Sequence, residues 1–218
     1  MKDKRTILSE AALAVGILLD AAGVALITKS DLGITAVSAL PYTLSQAFPV
    51  FTYGTWYYIF QISLMLLLIL RTRKFKKDYI IAFVVGFLFS FALDAATFLF
   101  GFWAESLSFK MVYFIAGTLL LMIGVAFLIN SGLPIMPQDL FTRDFSSFIG
   151  IPFKKVKTTF DISCVVISCI IALLAIRHLI GIGVGTLLSA CINGYGISFF
   201  RDWQKTRWTF KTKWIKAS

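Results

Sequence analysis

The chain has 218 residues, of which 58% are hydrophobic and 15% charged, with a mean hydropathy of +0.84. Soluble domains carry roughly 45–50% apolar and about 25% charged residues, so this composition excludes a soluble globular protein and indicates a polytopic membrane protein. The net charge of +10 invites a nucleic-acid reading, but the placement of the charge argues against one.

Apolar runs recur near 7–28, 54–70, 79–103, 111–131, 158–176 and 181–200, the last interrupted by glycines. Each is close to the ~20 residues that cross a bilayer core as a helix. The basic start followed by an apolar run imitates a signal peptide. No small-x-small cleavage site follows it, so it reads as a first span. Threading six spans with the N-terminus inside puts eighteen of the 21 Lys and Arg in the cytoplasm. These are the N-terminal cluster, "RTRKFKK" (71–77), Arg143, Lys154, Lys155, Lys157 and the basic tail; Lys29, Lys110 and Arg177 fall outside. This positive-inside bias orients a membrane protein. Both termini are therefore expected in the cytoplasm, and no nucleic-acid partner is expected.

The first span carries Asp20 and a small face formed by Ala12, Gly16 and Gly23, suited to close helix approach. The connection after it, "SDLGITAVSALPYTLSQAF" (30–48), is long for a loop and holds a breaker at Gly33 before a short helical pattern. It reads as a half-helix dipping between the spans, permissible only where protein or water satisfies the backbone. Ser38 is expected to cap its N-terminal end. Gln61 lies in the second span. The third contains "VGFLFSFALDAATFLFG" (85–101), with Asp94 as its one charge. Ser90 and Thr97 share the Asp94 face, while Phe87, Phe91 and Phe98 fall on other sides. An ionised carboxylate in hydrocarbon costs at least a few kcal/mol, so Asp94 is expected to face the protein interior. Asp94→Asn is accordingly expected to cost function more than folding.

The second half repeats the first. "GILLDAAGVALITKSDLGITAV" (16–37) over "GTLLLMIGVAFLINSGLPIMPQ" (117–138) gives nine identities in 22 positions. "FQIS" (60–63) then lies over "FDIS" (160–163), and "GFLFSFALDAATFLF" (86–100) over "GTLLSACINGYGISF" (185–199). The expected organisation is a first three-span repeat over 1–103, a second over 104–200, and a basic-aromatic tail over 201–218. Three is an odd number, so the second repeat enters the membrane from the opposite side. The fold class is thus all-α: six transmembrane helices as two inverted repeats, each with a half-helix connection. Such repeats recur in secondary transporters, with sites near the midplane at the repeat interface.

The repeat pairs Asp94 with Asn193, Gln61 with Asp161, and Ser38 with Asp139; Asp20 stands opposite Leu121. These seven polar residues are the candidate solute- or ion-binding groups. A polar cluster that only fixes helix packing is the competing account for each. No Lys or Arg is expected deep in a span, so the interior has an excess of acid. Cys164, Cys169 and Cys191 lack CxxC spacing and read as small buried hydrophobes. "GIGVGT" (181–186) imitates a phosphate loop but lacks the following Lys and a strand-to-helix context. The tail interleaves Trp203, Trp208, Phe210 and Trp214 with cations and reads as an interfacial segment on anionic lipid.

Four motifs, "SDLGIT" (30–35), "PQDLF" (137–141), "FDIS" (160–163) and "GVGTLLSA" (183–190), carry a resemblance to the YczE/YyaS/YitT group of bacterial integral membrane proteins, in particular its YczE-like branch. The resemblance implies a multi-pass protein of the bacterial plasma membrane. It also implies a Ser-Pro-x-Asp pattern in the first connection, where this chain has "TAVSA"; the second connection keeps Pro137 and Asp139. The expected function is a small-solute or ion secondary transporter. A non-transporting binding or accessory subunit is the competing class. With one His and no HExxH or GxSxG motif, no enzyme, metal or cofactor is expected. The sequence leaves a homo-oligomer open.

Overall fold

The computed structural model describes residues 5–104 and 106–212. Its eight α-helices follow the order long, short, long, long, twice over. The first set is α1 Ser9–Ser30, α2 Ala36–Ala47, α3 Tyr53–Thr72 and α4 Lys77–Gly101. The second is α5 Leu107–Ser131, α6 Pro137–Ile149, α7 Phe153–Ile171 and α8 Val184–Arg207. A π-helical turn, Ala172–Ile176, extends α7. Strands β1 Arg5–Leu8 and β2 Trp208–Lys211 pair in parallel, Arg5 opposite Trp208.

Five helices, α1, α3, α4, α5 and α7 with its π turn, are long and apolar enough to cross a membrane. The protein is a helical, multi-pass membrane protein. The sixth expected span differs: α8 has 24 residues, ample length, but is too polar to match the other five. Asn193, Gly194, Gly196 and the polar end after Phe200 dilute its apolar face. The tail also differs. Helix α8 continues to Arg207 across the expected boundary at 200, and the next four residues form β2. There Trp208 stacks on Phe127 of α5 at 5.5 Å between ring centres. Trp214 lies outside the described residues.

Helices α1 and α5 meet backbone to backbone. A Cβ on Gly23 would lie 2.6 Å from the Leu121 nitrogen and 2.7 Å from the Gly117 oxygen; one on Gly124 would lie 2.6 Å from the Asp20 nitrogen. Gly16 faces Gly124 while Gly23 faces Gly117, so the two helices run antiparallel. Packing without side chains between helices is the main source of helix adhesion where lipid removes the hydrophobic drive. Around this pair, α4 packs on α1 and α8 on α5, α2 lies against α7, and α3 lies against α6. Helix α3 also packs on α4, whereas α7 makes no comparable contact with α8. Phe87, Phe91 and Phe98 point outward, as the sequence pattern implies.

The two short helices are reached by turns back toward the core. Asp31 ends α1 and Gly132 ends α5, both in the left-handed region (φ 56° and 67°). The Ile34 N–H then donates to the Gly181 oxygen at 2.9 Å, and the Gly185 N–H to the Leu32 oxygen at 2.8 Å. A Cβ on Gly33 would sit 2.7 Å from the Thr186 nitrogen, so the glycine allows this loop to lie on the start of α8. That contact is the structural use of the "GIGVGT" segment. Pro41 sits inside α2 and lacks an N–H, so the Val37 carbonyl has no helical donor.

Candidate functional site

A cavity of about 1140 Å³ fills the gap between α7 and α8. Its walls are largely apolar, with Val24 of α1, Leu121 and Val125 of α5, and Val166 of α7 among them. The N-terminal ends of α2 and α6 reach it, through Thr35 to Ser38 and through Met136, Gln138 and Asp139. Of the seven residues expected from sequence, Asp20, Ser38, Asp139, Asp161 and Asn193 line this one cavity.

Asp20 lies in the middle of α1 and is 5% exposed. Among the described residues it accepts no hydrogen bond and faces no cation. Lys157 Nζ lies 3.1 Å from Asp161 Oδ1 and 3.9 Å from Asp139 Oδ1. Lys157, expected in the connection before the fifth span, therefore borders the cavity. Helix α7 already starts at Phe153, so Lys157 is inside it, on the same face as Asp161 four residues on. Arg143 also borders the cavity, but its Nε is held by Asp144 Oδ1 at 3.0 Å.

Ser38 and Asp139 are not the N-caps. Thr35 and Met136 hold those positions, and neither side chain caps its helix. Ser38 and Asp139 sit three residues further in, because the helices begin sooner after Gly33 and Pro134 than expected. Ser38 Oγ accepts from Thr35 Oγ1 at 2.7 Å. The first-turn N–H groups of an uncapped helix carry partial positive charge. On α8, Ser189 Oγ and Asn193 Oδ1 are buried without a partner, as is Gln138 Oε1 on α6. An unpaired buried polar atom costs about 1–3 kcal/mol, so these groups are poised for a ligand or water in the cavity.

Asp94 and Gln61 lie elsewhere. The Asp94 carboxylate accepts from the Gly54 N–H at 2.7 Å and the Thr52 hydroxyl at 2.5 Å, at the start of α3. It therefore faces its own repeat rather than the boundary between repeats. Gln61 is fully buried where α3 meets α4 and α6, against Gly86 and Pro137, and neither of its polar atoms is partnered. Reading the sequence missed Lys157, Gln138, Ser189 and the buried Tyr57 on the cavity wall. The i, i+4 spacing of Lys157 and Asp161 was the available signal; the other three carry none.

The comparisons with known proteins assign no activity. YyaS of Bacillus subtilis (strain 168), described as an uncharacterized protein, is 27% identical over 191 residues, covering 85% of this chain and 89% of YyaS. No solved structure matches the chain. The family model of DUF6198, a family of unknown function, matches residues 7–202, and the chain belongs to that family.

Proposed function

We propose that the protein is a secondary transporter of a small solute or ion, built as two inverted three-span repeats, with the cavity as its site. One observation carries the reading. Two helix pairs that the sequence repeat makes equivalent stand in different states, α3–α4 closed and α7–α8 open around the cavity. An inverted-repeat transporter works by exchanging such states between its halves.

The contacts at the centre support the inverted symmetry. Gly16 and Gly117 are repeat partners, as are Gly23 and Gly124, and each meets the other's partner. That reciprocity is what a two-fold axis between antiparallel helices produces. The β1–β2 pairing brings the two ends of the described chain side by side, which calls for an even number of crossings. Helix α8 then supplies the sixth. Lys29 reaches the Gly101 oxygen at 3.3 Å and Lys110 pairs with Asp31 at 2.9 Å, grouping residues assigned to the outside. Lys76 pairs with Asp144 at 2.8 Å among those assigned to the cytoplasm. The membrane is the bacterial plasma membrane and both termini are cytoplasmic in this reading.

The test is reconstitution in liposomes with a proton-sensitive dye and a solute panel, comparing the parent with Asp20→Asn. Flux that saturates in the parent and falls about tenfold or more in the variant is expected. A parent that binds cavity ligands but moves none is a non-transporting binding module instead.

A further inference from the structure

We infer that the cavity takes a monovalent organic cation, an amine or quaternary ammonium on an apolar body, with Asp20 as its counter-charge. The inference rests on the cavity being the solute site. Its first support is the charge balance. Asp139 and Asp161 flank Lys157 and exceed it by one negative charge. The uncapped ends of α2 and α6 each contribute roughly half a positive charge, which offsets that excess. Arg143 shares Asp144 with Lys76, and both cations are half exposed, so their surplus charge is screened by solvent. Asp20 is then left as the one uncompensated charge, buried on the cavity wall with no partner among the described residues.

A buried carboxylate without a counter-charge is penalised by several kcal/mol, and a bound cation removes that penalty. An anion finds no such buried vacancy, since Lys157 is held by two carboxylates and Arg143 is half exposed. A bare metal ion fits poorly as well: hard cations require about six or more oxygen ligands at close range, and among the described residues no three His, Cys, Asp or Glu side chains converge to hold one. A volume of about 1140 Å³ suits an organic body, and the largely apolar wall, with the buried Tyr57 in it, suits that body's surface.

Tetraphenylphosphonium and tetraphenylborate share a shape and differ in the sign of their charge. Their binding to the purified full chain in lipid nanodiscs, with empty nanodiscs as the blank, tests the inference by equilibrium dialysis. The cation is expected to saturate one site at about tenfold or more higher affinity than the anion. Asp20→Asn is expected to lose about tenfold or more for the cation and nothing for the anion. An anion that binds as well as the cation, or a cation affinity unchanged in Asp20→Asn, overturns it. Should Asp20→Asn fail to fold, the cation–anion comparison on the parent decides alone. Cation binding without flux sinks the transporter reading and leaves this inference standing. Flux of an uncharged solute with no cation binding does the reverse.

Discussion

At the start of α3 two donors, the Gly54 N–H and the Thr52 hydroxyl, converge on a carboxylate from α4. Thr52 is itself the N-cap of α3, accepting from the Thr55 N–H at 3.2 Å. Asp94 thus adds a negative charge where the helix dipole is positive, and this offsets its burial. Asp94→Ala is expected to lower stability by about 1–3 kcal/mol and Asp94→Asn by about 1 kcal/mol, read from melting curves in detergent. An Asp94→Ala protein as stable as the parent contradicts the capping role. Asp144 gives a second case. Burial pushes its carboxyl up, but bonds from Lys76, Tyr79 and Arg143 outweigh it and hold the group below the usual carboxylate range. A depressed value stabilises the fold above the ordinary carboxylate pKa, and that contribution is lost as pH falls through the depressed one. The parent should therefore melt earlier below about pH 4. Asp144→Asn should be less stable at neutral pH and lack this part of the acid limb. A parallel acid limb in the two proteins would contradict the assignment.

Between elements, the crossing of α1 and α5 tolerates no added atoms. A Cβ at Gly124 meets backbone, which cannot rotate away, so Gly124→Val is expected to cost about 3 kcal/mol or more. Gly101 has nothing within 4 Å of its would-be Cβ and Gly101→Ala should be neutral. Yield and melting temperature of the two variants check this, and equal behaviour would refute the close crossing. These glycines and the two short helices were legible, because each leaves a local pattern of small residues or breakers. Where α7 begins was not legible. "FKKVKTTFDIS" mixes cations with an apolar face, and its first turn forms on the Pro152 carbonyl, which accepts from the Lys155 and Val156 N–H groups. The composition of that segment therefore gives no sign that Lys157 lines a cavity. Asp94 and Asn193 share a repeat position, yet one caps a helix and the other faces a cavity. That difference arises from the unequal opening of the two halves, which no residue pattern encodes.

Across the whole molecule, that inequality is the central claim: the two halves exchange the closed and open arrangements. The lips of the open pair carry Val166 on α7 and Leu187 on α8, both exposed. Their repeat equivalents on the closed pair are Leu66 on α3 and Leu88 on α4, exposed as well. Spin labels at either pair, in a chain lacking Cys164, Cys169 and Cys191, give the two separations by double electron–electron resonance. With tetraphenylphosphonium added or withheld, each pair is expected to show two populations, the condition that shortens the α7–α8 distance lengthening the α3–α4 distance. A single unchanging distance in both pairs, or two distances that lengthen together, would contradict the account.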